Sequence, residues 1–141
     1  MEITFQSHLI NFEFDWEKEC IEWLLEVIER ENKLLKSLAY NFVGKEEILE
    51  INREFLKHDY FTDIITFDSS YLKYIQGEIF ICIPVVIENA LVNSEGSVKN
   101  ELARVIVHGL LHIIGYNDKY DHEITTMRNK EEEYLILLSE R

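Results

Sequence analysis

The sequence predicts an α+β fold: one small mixed β-sheet of about four strands flanked by roughly five or six helices. Three observations point to it. Segments that alternate apolar and polar residues every second position are short, whereas stripes with helical spacing are long. One strand-like segment, GEIFICI, is apolar on both faces, as a central strand must be. The chain has 141 residues, enough for one adequate hydrophobic core, so a single domain spanning residues 1–141 is expected.

The elements follow in order. EITFQ alternates and places Ile3 and Phe5 on one face, predicting a first strand. Cys20, Trp23, Leu24, Val27 and Ile28 recur at the i, i+3, i+4, i+7, i+8 spacing of a core-facing helix. LAYNFV alternates Leu38, Tyr40 and Phe42 and stops at Gly44, a second strand. KEEILEINREF places Ile48, Ile51 and Phe55 on one helical face. TDIITFD and GEIFICI predict two more strands. Pro84 suits the first turn of the next helix, where its missing N–H costs nothing. Ser97 is the expected N-cap of a helix in which Leu102, Val105, Ile106 and Ile113 recur up to Gly115. Asp121 is the expected cap of a last helix carrying Ile124, Met127, Tyr134 and Leu138. The order is strand, helix, strand, helix, two strands, three helices.

Composition narrows the classes. No apolar run approaches the roughly 18 residues of a membrane helix. The acidic start, MEITFQSHLINFEFDWE, lacks the basic and apolar regions of a signal peptide. Cys20 and Cys82 suggest no disulfide framework; they are read as small core residues, and a cytoplasmic location is expected. The formal net charge is −13. A chain this acidic gains nothing from long-range attraction to nucleic acid, so any such contact must come from a local site.

That site is sought in HGLLHIIGYNDKYDHE, residues 108–123. His108 and His112 stand one helical turn apart, so both imidazoles project from one face and can reach one metal ion. Gly115 can take the left-handed conformation that ends a helix, folding the chain back towards the pair with a third ligand. The competing reading is a pair of hydrogen-bonded core histidines. A zinc peptidase is a further alternative, but Gly109 stands where such enzymes carry the glutamate general base.

HGLLHIIGYND resembles the signature H-G-x-L-H-x-x-G-Y-x-H of the YbeY family of metal-dependent endoribonucleases. INREFLKHDYFTDIITFD is similar to that family's L-N-x-x-Y-R-x-K-D-x-x-T-D-V-L-S-F segment, and GEIFICIPVVIENA to its G-D-I-x-I-x-x-x-x-x-x-x-x-A segment. The blocks stand in the family's order. The resemblance implies a metalloprotease-like architecture with a metal site at a cleft. It implies cleavage of single-stranded RNA, with a role in maturing the 3′ end of small-subunit 16S rRNA and in ribosome quality control. The implied cofactor is one divalent ion, zinc first; the implied partners are rRNA, the small ribosomal subunit and ribosome-assembly factors. A metal held by three side chains would activate water for attack on a phosphodiester. A ribosome-assembly or RNA-binding module with a structural metal is the alternative from another class.

Two positions depart from the family pattern. The family's third metal-binding histidine is replaced by Asp118, a competent ligand that makes the expected set His108, His112 and Asp118. His122, slightly further on, is the alternative. The family's arginine aligns with Leu56, so Arg53, Lys57 and Lys119 become candidate phosphate contacts, against a bland reading as solvated charges. Thr62 and Asp63 match the family's T-D pair and either line a cleft or make a turn. Asn52 matches a family asparagine and is read as bonding loop backbone. Glu131 to Glu133 are read as a solvated helix face.

Overall fold

The computed structural model describes residues 2–57 and 62–141. Four strands and five helices alternate among them as the periodicity predicts: β1 (Glu2–Ser7), α1 (Glu17–Arg30), β2 (Leu34–Val43), α2 (Lys45–Ile51), β3 (Ile64–Asp68), β4 (Tyr74–Cys82), α3 (Ile83–Asn93), α4 (Val98–Ile114) and α5 (Asp121–Ser139). The sheet order is β1-β2-β4-β3. β1 and β4 both run parallel to β2, and β3 runs antiparallel to β4. Parallel neighbours need a crossover, which α1 supplies between β1 and β2 and α2 begins between β2 and β4.

The sheet is covered unequally. On one side Leu38, Tyr40 and Phe42 of β2 and Ile75, Ile79 and Ile81 of β4 join the buried α1 stripe and α4 in the main core. Phe5 of β1 stacks on Tyr40 at 4.8 Å. The other face carries a small cluster, Val43, Ile48, Ile65 and Cys82, under α2. β4 is thus covered on both faces beyond Glu78, which is why its end, IFIC, is apolar on both. Cys20 and Cys82 are buried, unpaired core residues.

α4 is the central element. Its N-cap is Ser97, whose hydroxyl accepts from the Asn100 N–H at 3.2 Å. Leu102, Val105, Ile106 and Ile113 are all buried. Two glycines let the helix lie close on the sheet. A Cβ on Gly109 would come within 2.8 Å of Ile64 Cδ1 and 3.1 Å of Ile79 Cδ1. A Cβ on Gly77 of β4 would come within 2.6 Å of Ile113 Cδ1 and 2.8 Å of the Phe67 carbonyl oxygen. Two buried bonds fix neighbouring layers: Tyr40 OH donates to Ile106 O at 2.8 Å, and Trp23 Nε1 donates to Tyr134 O at 2.8 Å.

Two local expectations are corrected. Ile48 is buried, but Phe55 is 61% exposed and meets Phe67 edge-on at 5.6 Å. The reason is a π-helical turn over Asn52–Leu56. The wider turn rotates its residues relative to α2, so the 3.6-residue stripe is broken and Asn52 takes the buried place. Asp121 is not the cap of α5. Tyr120 holds that position, and Glu123 reaches back to accept from the Lys119 and Tyr120 N–H groups at 3.1 and 3.0 Å. Among the described residues no helix is long and apolar enough to cross a membrane.

The glycine contacts give an ordering of stabilities. Gly77→Ala must displace the β3 backbone at Phe67 and should cost about 1–3 kcal/mol, the usual range for overpacking. Gly109→Ala meets only side-chain ends, and alanine gains about 1 kcal/mol over glycine in a helix, so its net loss should be smaller. Urea unfolding of the two variants checks that order.

Candidate metal centre

His108 and His112 project from the last two turns of α4, both half-buried. Their ring centroids lie 4.6 Å apart with the planes near perpendicular, at 80°. The helix ends on Gly115, whose φ of +129° is a backbone state that side-chain-bearing residues rarely adopt. Beyond it the Tyr116 N–H donates back to Leu111 O at 3.0 Å, and the chain folds over the helix end. This return carries Asp118 to the histidines. Its Oδ2 lies 3.2 Å from His112 Nε2 and 3.4 Å from His108 Nε2. One ligand atom from each of the three residues falls within 4.8 Å of the others, so the group could hold a metal ion. His122 is not part of it; its exposed ring stacks parallel to Tyr120 at 6.2 Å.

A carboxylate expected on a solvated face completes the environment instead. Glu131 is buried, with its side chain only 6% exposed, and it accepts from His108 Nδ1 at 2.6 Å. It also takes Arg104 Nη1 at 3.2 Å, while Arg104 Nη2 goes to Glu132 at 3.2 Å. Glu132 and Glu133 are exposed as expected. The signal for Glu131 lay in its place, four residues after buried Met127 and three before buried Tyr134, on the inward stripe of α5. Because a carboxylate only accepts, the bond fixes the proton on Nδ1 and leaves Nε2 facing Asp118. Burial opposes charge on His108, but Glu131, Asp118 and Asp63 outweigh it and raise the imidazole pKa above its ordinary value.

The returning turn is itself held. Glu31, at the end of α1, accepts from Tyr116 OH at 2.7 Å, from Tyr134 OH and from Lys130 Nζ at 3.2 Å. Burial would push the Glu31 carboxyl up, yet these three donors hold it below the usual glutamate value. One carboxylate therefore ties α1, α5 and the segment bearing Asp118.

A cleft of about 680 Å³ opens beside the group, lined by His108, Asp118, Asp63 and Glu131 and by two arginines, Arg104 and Arg128. Thr62 and Asp63 divide the two roles considered for them. Thr62 Oγ1 donates locally to Ile64 O at 3.5 Å, whereas Asp63 lines the cleft. Burial raises the Asp63 pKa, and the neighbouring His108 partly offsets this. Arg53, Lys57 and Lys119 are all exposed, and none is among the described residues lining this cleft. Lys119 lies over the Tyr120 ring at 5.4 Å. Asn52 is buried.

The family model for Endoribonuclease YbeY matches residues 2–139. The chain belongs to the YbeY family. Curated relatives with the same name agree: one from Cytophaga hutchinsonii is 47% identical over 116 residues, covering 82% of this chain and 80% of that protein. One from Bacteroides thetaiotaomicron is 37% identical over 137 residues, covering 97% and 99%. The solution structure of TM1509 from Thermotoga maritima superposes with a TM-score of 0.67 at 27% identity, over 97% of this chain and 89% of that one. The YbeY family is one of nucleases, which are hydrolases, and the α+β architecture with a four-stranded mixed sheet matches the expectation.

Against the YbeY pattern, two local features now have structural settings. Leu56, at the family's arginine position, is a partly exposed residue in the π-helical turn. Residues 58–61 of that block lie outside the described residues. Gly109 faces Ile64 and Ile79 of the sheet. A peptidase-type glutamate at that position would be aimed at the apolar core, not into the cleft.

The Glu31 clamp sets an expectation for acid. A carboxyl with a lowered folded pKa contributes fully above the ordinary value of 4.5, and its contribution is lost as pH falls through the folded pKa. Glu31→Gln should destabilise by about 1.5–3 kcal/mol at neutral pH, the range for hydrogen bonds to a charged group. The gap from the wild type should narrow as pH falls below about 4.5 and close only below the folded pKa. Urea melts at both pH values measure it.

Proposed function

We propose that residues 1–141 form one metallohydrolase domain that cuts single-stranded RNA, with His108, His112 and Asp118 holding one divalent ion. The observation that carries this reading is the convergence of two imidazole Nε2 atoms on a single Asp118 oxygen. The donor set fits the ion: two nitrogens and a carboxylate oxygen suit zinc, and three protein ligands leave a position for water or substrate. When bound, such an ion lowers the pKa of a water towards neutrality and polarises a phosphoryl oxygen.

The residues of the chain supply the rest. Glu131 orients His108 by holding its Nδ1 proton, and Arg104 in turn anchors Glu131. Hydrolysis adds water across a P–O bond: the hydroxyl goes to phosphorus, and a proton must reach the leaving ribose oxygen. Asp63 is the carboxyl in the cleft with a raised pKa, fitted to take that proton and return it. Family membership supports a cytoplasmic role in rRNA processing at the 16S 3′ end and in ribosome quality control, alongside the small subunit and its assembly factors. Docking on such a partner would position RNA that an acidic chain cannot attract by charge.

The test is cleavage of a single-stranded RNA by protein that has been stripped of metal and then reloaded. Activity should vanish on chelation, return with zinc or another divalent ion, and fall at least 100-fold in His112→Ala. An ion that raises the melting temperature while RNA stays intact would establish a structural metal in a binding module. A second measurement addresses Glu131. Chelator competition should show metal affinity falling about 10–100-fold in Glu131→Ala, the usual effect of removing a carboxylate partner from a ligating histidine, and less in Glu131→Gln.

A further inference from the structure

An RNA-cutting site must meet a phosphate with positive charge. The cleft makes that need acute, because Asp63, Asp118 and Glu131 all line it. Its two arginines differ. Arg104 is committed to Glu131 and Glu132, and its side chain is only 24% exposed. Arg128 is exposed on α5, beside buried Met127, and makes no hydrogen bond or ion pair with any described residue. Glu131 and Glu132 lie three and four residues after it, the positions where a helical ion pair would form. Both have turned to Arg104 instead. Arg128 therefore lines the cleft with no described residue engaging its donors.

We propose that Arg128 of α5 binds a phosphate of the RNA strand in the cleft. The proposal rests on the RNA-cleaving reading above. A guanidinium suits it because its planar donors grip two phosphate oxygens at once.

The experiment compares metal-loaded wild type, Arg128→Ala and Arg128→Lys. Cleavage is followed with a single-stranded RNA, and binding with a phosphorothioate RNA of the same sequence that resists cleavage. Arg128→Ala should lower kcat/KM about 10–100-fold, the loss of one charge-assisted contact. It should weaken binding to a similar extent and reduce the slope of log affinity against log salt by about 0.7, the value for one phosphate on a single strand. Metal content and melting temperature should not move. Arg128→Lys should restore the salt slope but only part of the affinity, since a point charge neutralises a phosphate without the two-pronged grip. Unchanged binding and salt slope in Arg128→Ala would overturn the proposal, as would a loss of metal or melting temperature that accounts for the whole effect. Wild type that binds RNA without cutting it would sink the nuclease reading while the salt slope still decides Arg128. Wild type that neither binds nor cuts would sink both.

Discussion

The close seating of α4 on the sheet is the constraint on which the rest of the molecule depends. Gly109 and Gly77 remove the two side chains that would hold the layers apart. The Tyr40 hydroxyl bonds a mid-helix carbonyl, fixing the helix along its own axis. With one face of α4 committed to β4 and its neighbours, the positions of His108 and His112 are determined rather than chosen. They emerge at the margin of the core, half-buried, where a ligand must be to bind an ion and still meet a substrate. The glycine after His108 thus serves packing, and the same contact removes the place where a peptidase would need its base.

The second requirement is that a segment outside the helix arrive at the right point. A three-residue excursion from Gly115 to Asp118 is short, but alone it has no reason to hold one conformation. Two anchors give it one. Tyr116 bonds to Glu31 at the end of α1, and Glu123 closes the first turn of α5 over Lys119 and Tyr120. Trp23 and Lys130 extend the same fastening between α1 and α5. Geometry at the candidate centre is therefore the product of three helices, of which the ligand-bearing one is only the first.

Much of this was legible in the sequence, and the misses have physical causes. Strands and helices were readable because each buries one face with its own period, and the α1 stripe from Cys20 to Ile28 is buried throughout. Asp118 was suggested by a family pattern, and the geometry brings it to both histidines. Phe55 was misplaced because a single π-helical turn shifts the register without altering composition. The charge of Glu131 predicts a solvated face, but its position does not. It stands on the buried stripe of α5, and a charged residue there implies a partner from another element. Arg104 supplied no cue, since a pairing between α4 and α5 leaves no trace in local spacing.

The charge on the cleft bears on the proposed ion. Among the described residues lining it are five carboxylates, those of Asp63, Glu101, Asp118, Glu131 and Glu132, against two guanidiniums. An RNA phosphate entering that surplus of negative charge meets repulsion at short range, where salt screens least. A divalent ion on the histidine–aspartate group, as proposed, would remove two of the three excess charges. On that proposal the ion would be as much a condition for substrate entry as a source of chemistry. An acidic chain acting on RNA is consistent on the proposed terms: its bulk charge keeps nucleic acid at a distance, and attraction would begin only at the cleft that the proposed ion and Arg128 share.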